Sequence, residues 1–233
     1  MKKFFLSIFA VAALSFGYAQ TADEVVNKHI EAVGGTEAWK KVNSMATAGT
    51  MQIQGAEIGI NLTVLNGKGS RQDISAMGMT GYQIITPTEG WNFMPFQGQK
   101  AAEPVTADDL KTSQDQLDLQ GSLMDYKTKG HTVEYIGTED IDGVEAIKLK
   151  STLKGGKVQT FYLDPKTYYV TRVVTKQKAN GKEIDMTTNL SNYQKLPEGI
   201  VVPMSIQLPF GELTVTKVEI NKPVDEKIFK PSK

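Results

Sequence analysis

The stretch from His131 to Lys176, HTVEYIGTEDIDGVEAIKLKSTLKGGKVQTFYLDPKTYYVTRVVTK, constrains this chain most. Runs rich in Val, Ile, Tyr and Thr are cut by turn residues at short, even spacing, the pattern of paired strands. Gly137 to Gly143 reads as one connection, Gly155-Gly156 as a second and Asp164-Pro165-Lys166-Thr167 as a third. Two adjacent glycines can both take positive φ, as a two-residue hairpin turn requires. Asp-Pro pre-sets a type I turn, so residues 161–163 and 168–174 are expected to pair. The expectation is an antiparallel meander of four strands, buried on one face and wet on the other. What covers the buried face is then the functional question.

The flanking sequence extends the same architecture. Thr21 and Glu24 form a capping box, and Val25, Val26, His29, Ile30 and Val33 make one helical stripe ended by Gly34-Gly35. Thr36 is placed to cap a short second turn carrying Trp39 and Val42. His29 lies at the stripe's edge and reads as a packed histidine. From Ser44 the period changes to two. Met45, Thr47, Gly49, Met51 and Ile53 share a face, as do Ile58, Ile60, Leu62 and Val64 beyond a turn at Gly55. Asn66-Gly67 marks a hairpin, 70–76 returns, and 81–86 and 91–96 follow as strands. Residues 182–193 are entered by an Asn180-Gly181 turn. Residues 200–208 alternate strictly around Pro203, which belongs at a sheet edge or bulge because it cannot donate to a ladder. The fold class expected is mainly β (α+β), with about eleven locally connected strands, an N-terminal helix and a helical insertion.

Residues 97–130 break the alternation. Thr106 can cap a helix with Asp108 and Asp109 at its positive end, and Leu110, Leu117, Leu119, Leu123, Met124 and Tyr126 punctuate a polar segment. Such an insertion either covers the mouth of the sheet or packs as a crossover.

Residues 1–19 carry a basic start at Lys2-Lys3, an apolar run too short for a typical spanning helix, and a small residue, Ala19, before Gln20. This is the pattern of a secretory signal peptide cleaved after Ala19, leaving residues 20–233 as a single domain in a periplasm. There is no cysteine, so no disulfide supports the fold and no lipid can be carried on an N-terminal Cys. Formal net charge is zero, which argues against a nucleic-acid partner. The sequence holds no nucleophile elbow and no phosphate-binding glycine loop, and its two histidines lie far apart, so neither catalysis nor a cofactor or zinc site is expected. Asp140-Ile141-Asp142-Gly143 opens like a calcium loop but lacks the later ligands, and reads as a tight turn. Met45, Met51, Met77, Met79, Met94, Met124, Met186 and Met204 suit either a surface that repacks around apolar ligands or ordinary core filling.

An ordered set of features resembles the periplasmic lipoprotein carrier LolA and the outer-membrane lipoprotein-sorting proteins, as a divergent member. These are the N-terminal helix, the strands through Arg71 to Gly90-Trp91-Asn92-Phe93, and the helical insertion. Phe161-Tyr162-Leu163-Asp164-Pro165-Lys166-Thr167 follows with Arg172, then Gly199-Ile200-Val201-Val202-Pro203, and finally Val218-Glu219-Ile220-Asn221 with Asp225 and Phe229. The resemblance implies an incomplete antiparallel barrel with a helical lid over an apolar cavity. It implies acyl chains of a lipoprotein or another lipid as ligand, an inner-membrane donor, an outer-membrane acceptor, and action as a monomer and not as an enzyme. Met51, Ile53, Ile60, Leu62, Trp91, Phe93, Tyr162 and Met204 are the candidate cavity residues. By the resemblance Arg71 would latch the lid, with Leu110, Leu117 and Leu123 on the lid itself. The rival expectations are a lipid or small-molecule binding and sensing module of the envelope that does not transport, and a hydrolase without a recognisable motif.

Overall fold

The computed structural model describes residues 20–53, 55–179 and 182–231. The signal-peptide reading of residues 1–19 and the turn at Asn180-Gly181 fall outside them. Helix α1 (Ala22–Ala32) and the short α2 (Thr36–Lys40) lead into β1 (Ser44–Ile53), β2 (Ala56–Leu65), β3 (Gly69–Ala76), β4 (Met79–Ile85), β5 (Gly90–Phe93) and β6 (Glu103–Pro104). The insertion holds α3 (Ala107–Thr112) and a 3-10 turn at Gln114–Leu117. Then come β7 (Thr132–Ile141), β8 (Val144–Thr152), β9 (Val158–Leu163), β10 (Val170–Ala179), β11 (Lys182–Lys195), β12 (Val201–Leu208), β13 (Gly211–Ile220) and a closing 3-10 turn at Glu226–Phe229.

Among the described residues the thirteen strands form one antiparallel sheet in the order β6-β5-β4-β3-β2-β1-β13-β12-β11-β10-β9-β8-β7. It does not close on itself, so the mainly β, incomplete-barrel expectation is borne out. The strand added most clearly beyond the expected number is β6, two residues long, in a segment read as loop. The first and last strands meet in the middle, where Met45 pairs with Ile220 and Met51 with Leu213.

Local chemistry explains most elements. The Thr21 hydroxyl accepts from Glu24 N at 3.2 Å, while Thr21 N donates to the Glu24 carboxylate at 2.8 Å, closing the expected capping box. Helix α2 is instead preceded by Gly35, at φ 84°, and Thr36 is already its first residue. In the central meander the first connection falls at the end of the Gly137–Gly143 stretch, at the tight turn expected of Asp140–Gly143. Gly137 (φ 120°) lies within β7, where the register shifts between Tyr135 and Gly137, and the turn itself is Asp142-Gly143 with both φ positive. Glycine absorbs the bulge because it has no Cβ to clash at that φ. The Gly155-Gly156 connection is longer than expected. Leu153 and Lys157 close a three-residue loop, and only Gly156 of the two glycines has positive φ. The Asp164 carboxylate accepts from Lys166 N and Thr167 N, the side-chain turn that Asp-Pro announces.

The buried side of the sheet is filled unevenly. Val25, Val26 and Ile30 of α1 press onto Ile147, Leu149, Phe161, Leu163 and Val170, with Leu123, Met124 and Tyr126 from the insertion. A smaller cluster of Val42, Ile200, Val202 and Ile220 continues beneath Trp39. A third lies on the opposite face, where Tyr82, Ile84 and Phe229 pack with Trp91 and Phe93.

A candidate ligand-binding cavity on the concave face

Between these clusters the concave face holds a cavity of about 480 Å³. Its floor is built by alternation. Met45, Thr47 and Gly49 of β1 stand beside Leu62 and Ile60 of β2, since Thr47 pairs with Leu62 and Gly49 with Ile60. Gln72 and Ser70 of β3 continue the same face, opposite Leu62 and Val64. On the other flank β13 contributes Leu213 and Val215. There the β1–β13 register shifts between Ala48 and Gly49. That bulge moves the inward position from Lys217 to Val218, which lines the cavity.

β12 contributes Val202 and Ile206, together with Pro203. Its ladder with β13 runs over Ser205–Leu208, while Pro203 pairs only toward β11, opposite Tyr193. Pro203 thus sits where β12 has parted from β13, the edge-like site its missing N–H demands. Trp39 of α2 and Gln116 and Leu119 of the insertion form the roof. Trp39 is held by its indole N–H, which donates to Val33 O at 2.9 Å.

The structure divides the sequence-derived candidates. Ile60 and Leu62 line the cavity. Met51 shares their face but is fully packed at 1% exposure, and Met204 packs on the cluster beneath Trp39. Ile53 ends the same strand face, half-buried. Trp91 and Phe93 are a correction. Trp91 pairs with Ile84 and Phe93 with Tyr82, so both share the outer face with Arg71 and lie in the cluster around Phe229. Tyr162 is a second correction of parity. It pairs with Lys148, whose ammonium stands 5.5 Å from its ring, while its neighbours Phe161 and Leu163 face α1. Sequence reasoning missed Leu213, Val215, Val218, Val202, Ile206 and Leu119. The β13 alternation was legible; the bulge that recruits Val218 has its trace in the apolar spacing 213, 215, 218, 220.

Arg71 does not touch the insertion. Its guanidinium grips the Asp73 carboxylate at 2.8 Å, donates to Ile228 O at 2.9 Å and stacks 4.5 Å from the Tyr82 ring. It therefore clamps the C-terminal 3-10 turn to the outer face. Phe229 from that turn lies on Gly69, where a Cβ would come within 2.5 Å of the ring.

The insertion is held by other groups. It is not the continuous amphipathic helix the sequence suggested, but a six-residue helix, a 3-10 turn and irregular turns. Thr106 does cap α3, accepting from Asp109 N at 3.1 Å. Gly67 N donates to Leu117 O at 2.8 Å, Leu119 N to the Asn66 side chain at 3.1 Å, and the Gln114 amide to Thr86 O at 3.1 Å. Lys157 Nζ joins the Asp115 carboxylate at 2.7 Å and Thr112 O at 3.1 Å. Leu110 is half-buried on α3, Leu117 is buried beside the Asn66-Gly67 turn, and Leu123 sits in the core under α1. Of the insertion's leucines it is Leu119 that lines the cavity.

His29 packs as expected, with Nδ1 donating to Tyr168 O at 2.8 Å; burial lowers its pKa more than this hydrogen bond raises it. Among the described residues, no group of three or more His, Asp or Glu side chains gathers as a metal site. No helix among them is long and apolar enough to cross a membrane.

Neither protein-family models nor curated proteins match this sequence. Solved structures do. A LolA superfamily protein from Nitrosomonas europaea superposes with a TM-score of 0.58 at 13% identity, covering 91% of this chain and 98% of that one. An outer membrane lipoprotein-sorting protein domain from Vibrio parahaemolyticus does so with a TM-score of 0.54 at 13% identity, over 89% and 97% respectively. The open antiparallel sheet of this chain is thus a fold shared with these two solved structures.

Proposed function

We propose that the protein is a periplasmic carrier that takes an acyl chain, of a lipoprotein or another lipid, into the concave cavity for transfer toward the outer membrane. The observation that carries this is the cavity itself. About 480 Å³ of the concave face stays open beneath Trp39, Gln116 and Leu119, lined mainly by aliphatic side chains. That volume lies within the range of single small-molecule sites, which favours one chain over several. Burying methylenes contributes about 0.8 kcal/mol each, so a long chain gains on the order of 10 kcal/mol.

Release then needs a partner and a movable roof. The insertion supplies that roof. It is tied to the sheet by a few hydrogen bonds and the Lys157–Asp115 pair, whereas its Leu123–Tyr126 end is anchored in the core. Bending near residues 114–119 would open the cavity without unpacking α1. An inner-membrane donor and an outer-membrane acceptor fit this cycle, with the carrier as a monomer and no bond-making chemistry of its own.

The test is mass spectrometry of material extracted from protein purified from a native periplasm, followed by transfer to acceptor vesicles. A co-purifying lipid that moves to the acceptor is the expected result. A lipid that stays bound would make the protein a binding or sensing module. Protein that holds no lipid and does not take up a fluorescent fatty acid would end the carrier reading.

A further inference from the structure

A second concavity, of about 800 Å³, lies on the other side of residues 114–119. Its chemistry is unlike the first. Lys111, Lys129, Lys154 and Lys157 line it against two carboxylates, Asp115 and Asp118. Both carboxylates are already engaged, Asp115 by Lys157 at 2.7 Å and Asp118 by Lys129 at 2.5 Å. Each partner of these pairs keeps between 21% and 28% of its side-chain exposure, so the pairs are half-buried and internally neutral.

Lys111 and Lys154 are exposed and form no ion pair with any of the described residues. Their charges are left uncompensated at the rim of a cleft, in a chain whose formal net charge is zero. Low-dielectric walls focus such a field into the cleft. His131 adds a polar group. Its Nδ1 accepts from Lys154 N at 3.1 Å, which puts the ring hydrogen on Nε2, and burial together with Lys129 favours the neutral ring. Asn66, Gly67 and Gly155 also line the groove, Asn66 Oδ1 and Gly67 N being already bonded to Leu119 N and Leu117 O.

The two concavities share one partition. Gln116 and Leu119 face the apolar cavity, while Gln114, Asp115, Leu117 and Asp118 face the basic groove. We infer that the groove between the insertion and the β8–β9 loop binds a phosphate-type anion, carried as the head group of a single-chain lipid whose tail occupies the cavity or supplied as a free ion. The groove stands on its own residues; the head-group source rests on the carrier reading. Lysines suit this task as strongly hydrated point charges that bind phosphate without bidentate geometry. Because Lys111 and Lys154 pair with no described carboxylate, neutralising them while keeping a long side chain breaks no salt bridge among the described residues.

The experiment titrates the chain from Gln20 onward, carrying Trp91→Phe so that Trp39 in the cavity roof reports binding, with calorimetry in parallel. Three probes are used: inorganic phosphate, dodecyl phosphate and uncharged dodecyl maltoside, the amphiphiles below their micelle thresholds. Each is repeated in Lys111→Gln/Lys154→Gln. Loss of about fivefold affinity per lysine for dodecyl phosphate, with dodecyl maltoside unchanged and the difference shrinking at high salt, supports a head-group site. Binding of inorganic phosphate that the double variant weakens supports the same groove with a free ion as its source. Dodecyl phosphate and dodecyl maltoside binding alike, neither touched by the lysines, overturns the groove and leaves the cavity standing. Phosphate binding without either amphiphile would keep the groove and remove the carrier reading. No binding by any probe removes both.

Discussion

The two halves of the concave face are made of the same sheet, yet one is dry and the other hollow. Over β7–β10 the sheet meets α1, eleven residues long, whose Val25, Val26 and Ile30 fill the space above Leu149 and Leu163. Over β1–β3, β12 and β13 it meets only the five-residue α2, through Trp39, and the edge of the insertion, through Gln116 and Leu119. A single ring and two side chains do not cover thirteen wall positions. The hollow therefore follows from how much helix the chain spends on each half. The sheet residues themselves do not distinguish the two: aliphatics line both.

This contrast can be broken at its strongest point. Leu149 and Leu163 are 0% exposed, so Leu149→Ala is expected to cost about 2–5 kcal/mol, read by urea unfolding, because it leaves a void in close packing. Ile206→Ala, at the cavity wall, should cost under about 1.5 kcal/mol because its neighbours already border open space. Equal losses would mean that the cavity is closed in solution. Next in size is Arg71→Gln. Removing the clamp on Ile228 O and the partner of Asp73 should cost about 1–3 kcal/mol and fray Glu226–Phe229 in hydrogen exchange. Uptake of a fluorescent fatty acid should be unchanged; a large change would return Arg71 to the role of a latch on the roof.

Filling the hollow sharpens the comparison from the other side. Leu62→Trp should reduce fatty-acid affinity by about tenfold or more while Tm moves by only a few degrees, since the added ring enters existing space. An unaltered affinity would place the ligand elsewhere. The smallest effect concerns the filled half. The pKa of His29 is lowered chiefly by burial, so the unfolded chain holds more protons than the folded one as pH falls. Its contribution to stability is fully present above the unfolded value of 6.5 and is lost as pH falls through the lower folded value. His131 is shifted in the same direction, so the comparison belongs in a His131→Gln background. There, His29→Gln should flatten the pH dependence of Tm across that window, and an unchanged slope would contradict the assignment.

Much of the fold could be read from residue order. The capping box at Thr21 and Glu24, the alternation through Met45–Ile53 and Ile58–Val64, and the Asp-Pro turn all rest on short-range chemistry, and all appear as expected. The candidate site was less legible, because a strand sequence does not say which of its faces is concave. Trp91, Phe93 and Tyr162 are apolar on the outer face, where Phe229 packs with the first two and the Lys148 ammonium stands over the third. Their burial comes from partners distant in sequence, beyond the reach of periodicity. Ile60 and Leu62 were placed on the right face because β1 and β2 share a register across one hairpin. The insertion departs from a single amphipathic helix for a related reason. Its leucines have no common helical face, and each finds a separate partner: the Asn66-Gly67 turn for Leu117, the cavity for Leu119, the α1 core for Leu123.

The pairing of β1 with β13 has a consequence for how the molecule comes into being. Met45 waits for Ile220, so the seam joining the halves of the sheet cannot be stitched until the chain has been made through β13. Until then β1 presents an unpaired edge, and the two flanking meanders can zip locally but not against each other. A nascent chain of this topology is kept from completing its sheet early.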